Sequence, residues 1–199
     1  MKVRNESFLR EMGNAEIRQI EGEERTIELS FSSEEPYTRY FGLEILDHSG
    51  NCVDLTRLKT VGCVLFNHNR DYVVGKILGA WIDGDKGRAK IRFDDDADAD
   101  TIFKKVQSGT LSGVSVGYTV GAWEEVAAGK KSSDERFTGP CSIARSWSPY
   151  EISIVSVPAD STVGVGRSME SDPDHENRRS LDLFIRQLQI NKANNKEEK

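Results

Sequence analysis

Gly113-Val114-Ser115-Val116-Gly117-Tyr118-Thr119-Val120 decides between two architectures for this chain. Its first five residues fit G-x-S-x-G, a pattern that presents a serine nucleophile on a sharp turn from strand to helix. A helical period should then follow the second glycine. Instead Val114, Val116, Tyr118 and Val120 alternate, the period of a strand that runs straight through the serine. Glycine inside a strand gives up packing and backbone stability, and it marks a bend or a close approach by a neighbour. Gly113 and Gly117 therefore leave room around Ser115, the candidate nucleophile, with Ser112 as its rival.

A serine hydroxyl needs a base within hydrogen-bond reach and a group that orients that base. Three histidines are available. His48, in Asp47-His48-Ser49-Gly50, reads as a solvated loop residue, and His175 lies in the polar stretch Asp172-Pro173-Asp174-His175-Glu176. His68 differs, because the apolar run Val61-Gly62-Cys63-Val64-Leu65-Phe66-Asn67 delivers it to a strand end. The third element is Tyr150-Glu151-Ile152-Ser153-Ile154-Val155, where Glu151 and Ser153 share one strand face and Ile152 and Ile154 the other. A carboxylate at the start of so apolar a strand is costly unless it is paired or solvated. An imidazolium would pair with it; a solvated strand end is the plainer alternative.

Around these segments the chain reads as β-rich. Arg25 to Phe31 alternates as a half-buried strand, and Tyr40 to Leu46 is expected to be its partner. Val61 to Phe66 and Tyr72 to Ile82 read as further strands, with a hairpin at Asp83-Gly84-Asp85-Lys86-Gly87 leading into Ala89 to Phe93. Asp94-Asp95-Asp96-Ala97-Asp98-Ala99-Asp100 fails as a calcium loop, since Ala99 and Lys105 stand where glycine and glutamate are needed. A helix from Ala97 to Gln107 accounts for it better. Asp98 or Asp100 would cap its start, and Gly109 would end it. Glu124 to Phe137 reads as an exposed loop, and Leu181, Phe184, Ile185 and Leu188 recur at helical spacing near the C-terminus.

Composition narrows the functional classes. Thirty-three acidic against 27 basic side chains, with no basic cluster interleaved with aromatics, argues against nucleic acid as a partner. No apolar run reaches membrane-spanning length, and the polar start at Met1-Lys2-Val3-Arg4 does not read as a signal peptide, so a cytoplasmic protein without a membrane partner is expected. Cys52, Cys63 and Cys141 show no metal-ligand or disulfide spacing, and neither a metal nor a cofactor is expected.

Together, Leu65-Phe66-Asn67-His68 with Val74-Gly75, Gly109 to Tyr118, and Glu151 to Ala159 resemble the prohead serine proteases of tailed phages, from about Tyr40 to about Val165. That family is distantly similar to the herpesvirus assemblins, whose third catalytic member is a second histidine where this chain has Glu151. The resemblance implies an assemblin-like, β-rich α+β fold: a small closed or partly open β-barrel with one or two packed helices. It implies a serine endopeptidase in which Ser115 attacks, His68 acts as base and Glu151 orients it, with oxyanion donors in the turn Ala159, Asp160, Ser161 and Thr162. A polar segment at 1–23, a protease domain at 24–166, and a linker plus amphipathic helix at 167–199 open to self-cleavage complete the expected organisation. The implied partners are capsid protein and scaffolding protein, with a possible homo-oligomer, inside the assembling procapsid in the host cytoplasm. Two alternatives compete. A noncatalytic β-barrel that assists capsid assembly is one; an α/β-hydrolase using Ser115, Asp134 or Asp160, and His175 is the other, and it lacks the alternating βα pattern.

Overall fold

In the computed structural model, which describes residues 7–12, 15–20 and 22–157, strands β1 (Ser7–Met12) and β2 (Ile17–Gln19) stand at opposite ends of one sheet's strand order. The step from Met12 to Ile17 reaches at most about 17 Å, at ~3.5 Å per residue. A flat sheet of this width cannot be bridged so, and the sheet curls into a partly open barrel. The first twenty residues offer few core candidates in sequence, yet they supply both ends of that curl. Their anchoring rests on single side chains such as Phe8 and Ile17, which pack against the core.

The remaining strands are β3 (Thr26–Ser33), β4 (Tyr37–Arg39), β5 (Gly42–Leu46), β6 (Cys63–Phe66), β7 (Asn69–Asp83), β8 (Lys86–Phe93), β9 (Gly113–Val126) and β10 (Cys141–Val155). Two helices, α1 (Thr56–Val61) and α2 (Ala97–Gln107), lie between them. The main path runs β1-β9-β10-β6-β7-β8-β3-β2. Long β10 takes two parallel neighbours on one side: β5 beside Ser142–Ala144 and β6 beside Ile152–Ile154. Bulges between Ala144 and Ser146 and between Pro149 and Glu151 bend it between the two. Ile27, Leu29, Val114, Val116, Ile91, Ile152, Ile154 and Trp147 fill the interior, joined by Ala99, Ile102 and Val106 of α2.

Several expectations change. The strand at Tyr40 to Leu46 does not pair with β3: β5 lies on β10 and forms a hairpin with β4, whereas β3 pairs with β8 and β2. Apolar matching accounts for this, since Ile27 faces Ile91 and Leu29 faces Ala89 across the β3–β8 ladder. Val61 closes α1, so the strand that delivers His68 begins only at Cys63. The expected helix at Ala97 to Gln107 is present, but Asp96, one residue ahead of it, is the cap, accepting from the amides of Asp98 and Ala99. Asp100 instead pairs with Arg25 and Lys104.

His48 is buried rather than solvated. Nε2 lies 2.8 Å from the Ser32 hydroxyl and Nδ1 2.8 Å from the Leu46 carbonyl, with the ring edge-on to Trp147. Burial pushes its pKa down to about 4. The unfolded chain therefore binds this proton first as pH falls below ~6.5, and the folded state loses stability from there down to pH 4. Chemical denaturation should show a loss of about 2 kcal/mol from this group between pH 8 and pH 5; His48→Gln should flatten that part of the pH dependence. Beside it, Asp47 is fully buried. Burial alone would raise its pKa, but the Ser49 amide and the guanidiniums of Arg145 and Arg136 overcome this and hold the carboxyl well below its usual range.

Candidate active site

Three adjacent strands build the site. Ser115 on β9 stands opposite Ser153 on β10, and Ser153 stands beside Leu65 on β6, so the loop leaving β6 passes over the serine. That loop is a two-residue hairpin, Asn67-His68, between Phe66 and Asn69. Both residues take the left-handed conformation, with φ of 51° and 58°, as a tight hairpin of the primed type requires. For a histidine this conformation is strained, and strain of that kind persists only where surrounding bonds over-determine it. Here they do. The Asn67 amide donates to the Ile154 carbonyl at 3.0 Å, the Asn67 side chain accepts from the Ser156 amide at 2.9 Å, and the His68 amide donates to Ser153 Oγ at 3.1 Å.

So held, the His68 ring bridges the two other residues that sequence reasoning singled out. Nε2 lies 2.7 Å from Ser115 Oγ and Nδ1 lies 2.7 Å from Glu151 Oε1. The structure brings Ser115, His68 and Glu151 into one relay. Glu151 is not a solvated strand end: it is 6% exposed and starts the part of β10 that continues into the core. Its second oxygen, Oε2, accepts from Ser153 Oγ at 2.8 Å. Ser153 thus ties the backbone of the base to the carboxylate that faces its ring. Sequence reasoning placed Ser153 on the Glu151 face and stopped there; a hydroxyl among Ile152, Ile154 and Val155 was the available signal.

The glycines are explained unequally. A Cβ on Gly117 would sit 2.4 Å from Glu151 Oε1 and 2.7 Å from the Tyr150 ring, so this glycine makes space for the carboxylate. The close neighbour is a side chain and not another backbone. Ser112 is exposed and precedes β9, while Ser115 is fully buried. Cys63, near the same carboxylate, has its thiol pushed up first by burial and then by Glu151, which opposes a reactive thiolate.

β1 covers the outer side of β9. Glu11 stands opposite Ser115 and Arg10 opposite Val116, and Ser115 Oγ lies 2.9 Å from the Arg10 carbonyl oxygen. The Arg10 side chain enters the protein, where its guanidinium pairs with buried Glu44 at 3.7 Å and lies over the Tyr37 ring. Tyr118 and Arg39 complete that polar cluster around Glu44. Burial lowers the Arg10 pKa, and Nη1 has no hydrogen-bond partner.

Ala159, Asp160, Ser161, Thr162 and His175, together with the expected C-terminal helix, lie outside the described residues. Asp134, one of the two acids offered for the α/β-hydrolase alternative, pairs with Arg145 in the cluster around Asp47; Asp160, the other, lies outside the described residues, and β9 continues as a strand past Gly117. The continuous strand speaks against that alternative, whose nucleophile must stand at a turn from strand into helix. Among the described residues, no group of three or more His, Cys, Asp or Glu side chains is arranged to hold a metal, and no helix is long and apolar enough to cross a membrane.

Comparison with known proteins identifies a family. The profile of the caudovirus prohead serine proteases matches residues 15–175. A major capsid protein of Halomonas phage phiHAP-1 is 38% identical over 147 residues, which cover 71% of this chain and 23% of that protein. The chain therefore spans under a quarter of that relative's length. No solved structure matches it. With every strand from β2 onward inside the matched stretch, the chain belongs to the caudovirus prohead serine protease family.

Proposed function

We propose that this protein is a serine endopeptidase that acts inside the assembling procapsid. The observation that carries the reading is the continuous relay from Ser115 Oγ through the His68 ring to Glu151, with 2.7 Å at each step. In the reaction Ser115 Oγ attacks a peptide carbonyl carbon while its proton passes to His68 Nε2; the C–N bond then breaks, and the same proton goes to the departing amine. Water hydrolyses the acyl-enzyme by the same steps in reverse roles. Glu151 fixes the tautomer with Nδ1 protonated and stabilises the imidazolium. Charge on the carbonyl oxygen requires backbone donors, for which the stretch Ala159 to Thr162 is our candidate.

The substrates in this reading are the scaffolding protein or a scaffold domain of the capsid protein. Similarity to part of a longer polypeptide named as a major capsid protein supports an association with capsid chains. The segment 167–199 is a further, self-derived substrate. Co-expression with capsid and scaffolding proteins, followed by mass spectrometry of new peptide termini, tests all three: termini that depend on Ser115 support the reading. Intact substrates at every stage of assembly would favour the noncatalytic assembly protein.

A further inference from the structure

The nucleophile of this site is shut, and the shutter is part of the chain. Ser115 is 0% exposed although the His68 side chain retains 16% of its surface, and what lies on the free side of β9 is β1. The contact is chemical as well as steric. Ser115 Oγ carries one proton and faces two acceptors, His68 Nε2 at 2.7 Å and the Arg10 carbonyl at 2.9 Å. A proton given to Arg10 is withheld from the base. The contact presents the Arg10 carbonyl oxygen to the nucleophile as a hydrogen-bond acceptor.

Three features make β1 a separable occupant. It is the terminal strand of the path and has a single ladder neighbour, so its departure breaks one pairing and leaves the rest of the sheet intact. Its anchor, Arg10, pairs with Glu44 and donates from Nη2 to the Glu35 carbonyl, but buried Nη1 makes no hydrogen bond, which makes that anchor weaker than a fully bonded one. The stretch shared with the protease family begins at residue 15, after β1. A vacated β9 edge would present a row of unpaired amides and carbonyls beside Ser115, which is what an extended peptide recognises.

Resting on the endopeptidase reading, we infer that the outer edge of β9 is the binding site for an extended peptide substrate, and that β1 is its resident, inhibitory occupant. Substrate strand and β1 compete for one ladder, and activation consists of β1 leaving.

A reversible lock tests this. Opposed residues of an antiparallel pair lie about 4.5–5.5 Å apart at Cα, within disulfide range. Ser7→Cys with Thr119→Cys, an opposed pair, therefore bolts β1 to β9 when oxidised. A fluorophosphonate probe reports on Ser115, whose Oγ forms the O–P bond as fluoride leaves and the proton passes to His68. The oxidised protein should label on the order of tenfold more slowly than the same protein after reductant, in proportion to the open population. Arg10→Ala in the otherwise unaltered chain should label several-fold faster than its parent. Single-cysteine variants control for the native thiols, and circular dichroism checks folding. Equal labelling of locked and reduced protein overturns the inference and leaves the hydrolase reading standing. No labelling in any form, including folded Arg10→Ala, overturns both.

Discussion

Ser115→Ala should abolish cleavage of co-expressed capsid or scaffolding protein, lowering turnover by on the order of 10³ or more, while Ser112→Ala leaves it nearly unchanged. The difference follows from position: Ser115 Oγ is 2.7 Å from the base, and Ser112 lies exposed ahead of the strand that carries it. His68→Ala should be as damaging as Ser115→Ala. The double variant should be no worse than either, because residues acting as one relay lose their effect together. Quantifying new termini in all four proteins decides the matter; cleavage that survives Ser115→Ala but not Ser112→Ala moves the nucleophile. Thermal unfolding should separate chemistry from folding, since each substitution removes a polar group from a site built over an intact barrel.

The second large effect concerns the carboxylate. Glu151→Gln keeps the shape but can turn an amide N–H toward His68 Nδ1, which favours the tautomer protonated on Nε2. That nitrogen then cannot take the Ser115 proton, and turnover should fall by on the order of 10⁴. Gly117→Ala reaches the same carboxylate from the other side. Its Cβ would lie 2.4 Å from Oε1, the mobile end of a side chain, so Glu151 gives way and leaves His68. Turnover should then drop by about 10² for a displacement near one ångström. Comparing kcat with the melting temperature is the check. A large loss of kcat with little loss of stability marks Gly117 as a positioning residue, and Ser153→Ala should behave in the same direction through Oε2.

Much of this site was legible because its chemistry is written in local exceptions. A serine between two glycines, a histidine at the end of an apolar run and a glutamate opening an apolar strand each break the pattern around them, and each breaks it for the same constellation. The single exception at Ser153 was weaker, because serine in a strand is common and only the closing distance to Glu151 gives it meaning. His48 was misread for the opposite reason: its neighbours Asp47, Ser49 and Gly50 describe a turn, and nothing local reveals that Ser32 and Trp147 enclose it. Strand partners failed similarly. β3 and Tyr40 to Leu46 are close in sequence, but β3 is matched by β8 from Thr26 to Ser30 and again, past a register shift, at Ser32 and Ser33, and sequence proximity does not encode that preference. β1 was invisible because an edge strand with one buried charge and one half-buried ring has no strong periodicity to announce it.

The relay draws on residues separated by 47 and 83 positions, and the contact of Ser115 with the Arg10 carbonyl of β1 spans 105. Such wiring makes folding slow and late relative to local structure. On the ribosome, the first half of the polypeptide emerges with a histidine and no acid to steer it, and the acid appears only when β10 does. The three side chains therefore come together only once β10 has paired with β9, and β1, made first, is available to join the other edge of β9 as soon as that strand forms.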